Sequence, residues 1–227
     1  MAINLEQARV AALRLTGLTG TPAIAPALPS EDRTPFLGQQ IASLGSVWNV
    51  EWQDIRLSLP SAPSGIVDHY SRAVVVRLAQ GTGQFLSATL RAAGELPSDV
   101  RPTPDGEAAQ QQLQQLTERY EALPRTPPRR SLLQALDAVL TKGIGDPLRA
   151  REITVLYVMH TYRGRPPIPA WVITLNGIPP IPHKGPAGAR VPMWQRNHIR
   201  NVVDANTGVP LFATTIPQPS PRAPLVA

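Results

Sequence analysis

The sequence predicts an α+β protein of two repeated units, each a helix packed on an antiparallel β-sheet. Three observations lead there. The pattern T-G-x-x-L-x-A-T occurs twice, as Thr82-Gly83-Gln84-Phe85-Leu86-Ser87-Ala88-Thr89 and as Thr207-Gly208-Val209-Pro210-Leu211-Phe212-Ala213-Thr214, at an offset of 125 residues. Each copy follows an apolar, strand-like run, Ala73 to Leu78 or Ile199 to Val203. An Ala- and Leu-rich helical pattern ending in glycine precedes each copy at a comparable distance. The Thr-Gly pair is expected to turn the chain between two strand pieces, the glycine supplying the positive φ.

In chain order, Asn4 is placed to cap a helix over Leu5 to Leu15, with Ala8, Val10, Ala11, Ala12 and Leu15 forming its apolar stripe and Gly17 its stop. Thr19 to Pro35 holds four prolines and reads as an extended surface segment, followed by a short helical turn over Phe36 to Leu44. Val47 to Leu59 alternates in the strand manner, with Trp48, Val50 and Trp52 on one side and a bulge expected near Gln53-Asp54. Turn chemistry at Ser61 to Gly65 sends the chain back as a hairpin into His69 to Leu78, and Gln84 to Ala92 continues as a strand or a short helix.

Pro97 to Pro104 reads as a linker, and Asp105 as the cap of a polar helix from Glu107 to Leu123. Ser131 caps a helix over Leu132 to Leu140, closed by Lys142-Gly143. Glu152 to Tyr162 and Ala170 to Leu175 are β-branched and aromatic and read as strands. Ile178 to Pro192 reads as a long loop, Asn197 to Val203 and Leu211 to Ile216 as the last strands, and Pro217 to Ala227 as a disordered tail. The expected division is therefore unit 1 over 1–98, a linker with a helix over 99–128, unit 2 over 129–216 and a tail over 217–227.

Composition narrows the chemistry. A hydrophobic fraction of 42% with 17% charged residues is that of a globular chain, while 26 prolines and 16 glycines call for long irregular connections. The absence of cysteine excludes disulfides, thiolate metal sites and cysteine nucleophiles. No HExxH, EF-hand, GxGxxG, P-loop or GxSxG pattern occurs, and His69, His160, His183 and His198 stand far apart, so no enzyme, metal or cofactor is expected. Asp54 and Asp68 are a conceivable carboxylate pair across the first hairpin, better read as exposed strand-end acids. Trp48, Trp52 and Trp171 fall in strand patterns and belong in the core, which leaves Trp194 as a candidate contact residue.

Charge is uneven. Residues 1–98 hold seven Arg against seven acids, and residues 99–227 hold fifteen Lys or Arg against nine. This gives a candidate anion-binding set in Arg125, Arg129, Arg130, Arg149, Arg151, Arg163 and Arg165, able to attract an anionic surface or polymer. Nucleic acid is a weaker expectation, because aromatic content is 5% and no known reading motif is present.

The closing motif Val203-Asp204-Ala205-Asn206-Thr207-Gly208-Val209-Pro210-Leu211 resembles that of the PepSY family, V-D-A-x-T-G-x-x-L on the final strand after a helix and a hairpin. The first copy is degraded, with Ala79 where the Asp would stand. The resemblance implies non-catalytic modules of exported or membrane-anchored bacterial proteins and protease propeptides, with a peptide, a protein or a peptidase as partner. Thr82, Gly83, Asp204, Thr207 and Gly208 are then structural, with Asp side chains holding the turn backbone. Compartment follows from the start of the chain: cytosolic if Met1 is the natural start, extracytoplasmic or anchored if Met1 was added to a trimmed sequence. A homodimer through paired sheet edges is a further expectation.

Overall fold

In the computed structural model, residues 2–27, 46–62, 71–92, 118–162, 165–178 and 198–216 are described. The elements run α1 (Leu5–Thr16), β1 (Ala23–Ala27), β2 (Val47–Arg56), β3 (Ser71–Ala79), β4 (Phe85–Ala92), β5 (Glu118–Ala122), α2 (Leu132–Lys142), β6 (Glu152–Tyr162), β7 (Ile168–Asn176), β8 (His198–Asp204) and β9 (Pro210–Ile216). All pairings are antiparallel, in the order β1-β2-β3-β4-β6-β7-β8-β9, with β5 on β6 as a side branch.

Both helices begin as their sequences dictate. The Asn4 side chain accepts from the Gln7 amide while Gln7 reaches back to the Asn4 amide, and Ser131 with Gln134 forms the same reciprocal box. Helix α1 ends on Gly17 in the left-handed conformation, φ 76°. Gly143 ends α2 differently, in extended backbone. Glycine is needed there for space, because a Cβ would lie 2.7 Å from Asn201 Oδ1 and 2.8 Å from the Val139 carbonyl oxygen.

The bulge falls where the alternation breaks. The β2–β3 register shifts between Trp52 and Ile55, and Asp54 takes φ +54°, a conformation that Asp tolerates better than most residues. The segment after Thr19 does more than run over the surface, since Ala23–Ala27 forms the edge strand β1 with Pro26 inside it. An edge accepts proline because one side of the strand needs no ladder donor.

Two expectations are corrected. The chain does not build two repeated helix-on-sheet units: nine strands share one antiparallel sheet, and only two helices occur among the described residues. Strand β4 would otherwise be the open edge of a first sheet, and β6 closes it by pairing Glu152–Leu156 with Ser87–Arg91. Nor does a helix run to Leu123, because Glu118–Ala122 is strand β5 and the remainder of that expected helix lies outside the described residues. Strand β6 outruns β4, leaving Met159–Tyr162 without a neighbour on that side, and β5 pairs there. Tertiary pairing has overridden a local helical pattern. The expected turn at 36–44, the linker, the loop at 179–192 and the tail also lie outside the described residues.

One core cluster spans both halves. Ala8, Ala12 and Leu15 of α1 pack with Val50, Trp52, Val74 and Val76, and the same cluster continues through Leu132, Leu136 and Val139 of α2 to Ile153, Val155, Ile173 and Ile199. Its middle is aromatic: Trp171 meets Phe85 edge to face at 5.0 Å and Tyr157 at 5.0 Å, joining β4, β6 and β7. The opposite face carries a smaller apolar cluster including Leu86, Leu156, Val172 and Val202.

Polar ties also cross between the halves. The buried Arg72 of β3 donates to the carbonyls of Pro147 and Leu148 at 3.2 and 2.8 Å, and Ser61 donates through its amide and hydroxyl to the Asp137 carboxylate of α2. Replacing Arg72 by Met keeps bulk but strips the two carbonyls of their donor, so Arg72→Met is expected to cost about 2 to 3 kcal/mol, read as a shifted midpoint in urea. An unchanged midpoint would mean that the tie contributes nothing.

Candidate functional site

The turn residues Thr82, Gly83, Asp204, Thr207 and Gly208 gather at one end of the sheet, where β3 passes into β4 and β8 into β9. The two Thr-Gly turns there share their geometry. Gly83 and Gly208 have φ 70° and 77°. Their amides donate to the carbonyls of Ala79 and Asp204 at 2.7 and 2.8 Å, and the Thr82 and Thr207 hydroxyls accept from the amides of Gln84 and Val209. The register shifts by one residue just before each turn.

The turns differ in one support. Asp204 Oδ1 accepts from the amides of Asn206 and Thr207 at 2.8 and 3.2 Å, whereas Ala79 at the matching place offers no acceptor. Each turn also sits beside a docked helix start: Ile3 donates to the Gln80 carbonyl and accepts from the Trp48 indole, while Arg130 donates to the Ala205 carbonyl and accepts from the Trp171 indole.

The predicted arginines divide between the two ends of the sheet. Arg125, Arg129 and Arg130 lie exposed at the turn end, as does Arg165 on the β6–β7 connection. Arg149 and Arg151 precede β6 at the other end, where Arg151 binds Asn176 and Ala92 through its backbone and packs its side chain over Gly177. Eleven residues of β6 separate the ends, roughly 35 Å at strand rise. The set therefore forms no single basic face. Arg163 and Trp194 lie outside the described residues, as do Asp68, His69 and His183. His160 is buried against Phe212, ring centroids 5.5 Å apart, and no metal-binding cluster of His, Asp or Glu occurs among the described residues.

Two hollows flank the turns. One, of about 530 Å³, runs along α2 beside Thr207 and Gly208 and mixes Arg130 and Lys142 with Asp137. The other, of about 310 Å³, lies between the end of α1, the first turn and the segment Pro124 to Pro128. Its basic residues are Arg14 and Arg125, and no acid lines it among the described residues. Sequence reasoning passed over Arg14, because it belongs to the half with no net charge and no local pattern sets it apart.

Tyr157 borders this second hollow with its hydroxyl donating to the Thr126 carbonyl at 2.9 Å. Burial pushes its pKa up to about 12. Comparison with protein-family models, with curated proteins and with solved structures returned no match. Among the described residues no helix is long and apolar enough to cross a membrane.

Two tests follow from this geometry. In Gly208→Ala the new Cβ meets Arg130 Cγ at an ordinary 3.5 Å, so only the left-handed backbone resists, at about 1 to 2 kcal/mol. Gly83→Ala is expected to cost more, since its Cβ would stand 3.1 Å from Ile3 Cδ1. Denaturant midpoints check both, and a neutral Gly208→Ala would contradict the turn conformation. The raised pKa of Tyr157 means that the folded state holds the proton more tightly than the unfolded chain. Its contribution is complete below about pH 10 and is lost as pH rises toward 12. Ultraviolet titration should show one tyrosine ionising late, and Tyr157→Phe should remove that component.

Proposed function

We propose that this protein is a non-enzymatic binding module that accepts an extended segment of a partner protein along the outer edge of β9. The observation that carries the reading is the character of that strand. Among the described residues it ends the sheet, its sequence Pro-Leu-Phe-Ala-Thr-Thr-Ile holds no charge, and Leu211 and the adjoining Val209 are 41% and 54% exposed.

Sheet edges are ordinarily guarded by charge, proline or brevity, because an unguarded one recruits another strand. At the opposite edge β1 has only five residues and carries Pro26 at its fourth position. Strand β9 has its proline only at the first position, so no later residue lacks an amide, and alternate amides of the strand face its outer side. An added strand would bind through its backbone, with side chains choosing among sequences.

The motif at Asp204 to Leu211, similar to that of PepSY modules, supports a peptidase or another exported protein as partner, in an extracytoplasmic or membrane-anchored setting. Pairing of β9 with a second copy would use the same edge. The alternative, an anionic polymer held on an Arg-rich face, draws less support because the arginines stand at both ends of the sheet.

The test is binding to an array of extended peptides at two salt concentrations, beside DNA and anionic vesicles. Peptide binding that tolerates salt and falls at least tenfold in Leu211→Lys is expected. Binding to the polyanions alone, steeply weakened by salt, would overturn the reading.

A further inference from the structure

The hollow beside the first turn has a chemistry of its own, over the middle strands β4 and β6 and apart from β9. Its floor is apolar and aromatic, with Leu15, Phe85 and Tyr157 all buried. Proline lines the wall at Pro124, Pro127 and Pro128, and that wall is fixed to the sheet. Gln84 Nε2 donates to the Pro124 carbonyl at 2.6 Å, and the Tyr157 hydroxyl donates to the Thr126 carbonyl. A wall of prolines held by two hydrogen bonds keeps its shape without a ligand, so little ordering cost opposes binding.

Two cations stand at this hollow without an anion. Arg14, in the last turn of α1, and Arg125, in the proline segment, are both exposed, and neither makes a side-chain hydrogen bond or ion pair among the described residues. Some arginines elsewhere do find partners, Arg9 in Glu6, Arg91 in Glu152 and Arg72 in two carbonyls, but it is the pairing of two guanidinium groups, partnerless among the described residues, over one apolar floor that sets this hollow apart. The hollow along α2 has its own carboxylate in Asp137, already engaged by Ser61. The neutral phenol of Tyr157 adds no negative charge to the floor. A concave apolar floor with unpaired guanidinium groups suits a ligand with an anionic end and an apolar body.

We propose that this hollow binds an oxyanion carried on a small aromatic or apolar group, with Arg14 and Arg125 holding the oxyanion and Leu15, Phe85 and the prolines enclosing the body. About 310 Å³ is the space of one small group rather than of a long chain. A peptide ending in an apolar residue offers a carboxylate of this kind, and an aromatic phosphate offers the other form of the same chemistry.

The experiment follows the backbone amides of Thr82, Gly83 and Gln84 by NMR while the whole chain is titrated with N-acetyl-phenylalanine, its neutral carboxamide, phenyl phosphate and inorganic phosphate. Saturable shifts are expected with N-acetyl-phenylalanine or phenyl phosphate, and the preferred one names the oxyanion. The carboxamide should bind at least tenfold more weakly. Arg14→Gln and Arg125→Gln should each weaken binding about tenfold, the equivalent of one charge-assisted hydrogen bond, with thermal midpoints unchanged because both residues are exposed. The proposal is overturned if the carboxamide binds as well as the acid, if inorganic phosphate binds as well as phenyl phosphate, if both variants bind like the parent, or if no probe gives a saturable shift at millimolar concentration.

Discussion

The pairing of β4 with β6 is the constraint on which the rest of this structure depends. Five residue pairs, from Ser87 opposite Leu156 to Arg91 opposite Glu152, turn two runs of strands into one sheet. Without them β4 and β6 would each present an open ladder, and the aromatic meeting of Phe85, Tyr157 and Trp171 would have no frame, because those three side chains come from β4, β6 and β7. The helices follow from the same joint. Since the two halves lie side by side, the end of α1 reaches the start of α2, closely enough that a Cβ on Gly17 would come within 2.9 Å of Ser131 Oγ. One apolar face then covers both, and a single core forms instead of two small ones, which suits a chain this size because burial efficiency rises with size.

Strand β6 also organises the end where the candidate sites lie. It is the longest strand, and it takes β4 on one half of its edge and β5 on the other. The change of partner occurs near Tyr157, the residue whose hydroxyl anchors the proline segment following β5. The hollow beneath the first turn therefore lies at a seam where one neighbour strand ends and the next approaches. Such a seam leaves a gap that ladder hydrogen bonds cannot fill, and here side chains and prolines line it. The β9 edge arises differently, because among the described residues the sheet stops there, with no charged residue along the strand.

What was legible in the sequence was local. Caps at Asn4 and Ser131, the irregularity at Asp54 and the two Thr-Gly turns each depend on residues within a few positions of one another, and each is found where the residue types require it. The joining of the halves was not legible, because nothing near Ser87 or Leu156 names its partner across more than sixty residues. For β5 the local signal pointed the wrong way: Leu113, Leu116, Tyr120 and Leu123 have helical spacing, yet the free side of β6 offers Arg119 and Tyr120 ladder partners in Thr161 and His160. The arginines show the same limit. Composition revealed an excess in the second half, but spacing along the chain could not show that Arg149 and Arg165 stand at opposite ends of one strand, or that Arg14 comes to the same hollow as Arg125.

The recurrence of the Thr-Gly turn acquires a different meaning in this light. Both copies hold the same backbone, and beside each a tryptophan indole and a strand-end carbonyl fix the residue preceding a helix cap. That recurrence belongs to the way a helix start docks on the end of a sheet, and it coexists with one undivided sheet. It also explains how the first turn can lack the aspartate of the second. Gly83 and Thr82 already close the loop through the Ala79 carbonyl and the Gln84 amide, while Gln84 is free to reach the Pro124 carbonyl and hold the proline wall. The second turn has Val209 in that place, a side chain that can make no such bond, and there the chain runs on into the exposed edge of β9. One backbone solution thus supports two different surroundings, a hollow walled by prolines in the first copy and a chain that runs on into the open strand β9 in the second, and the residue that follows each glycine differs accordingly.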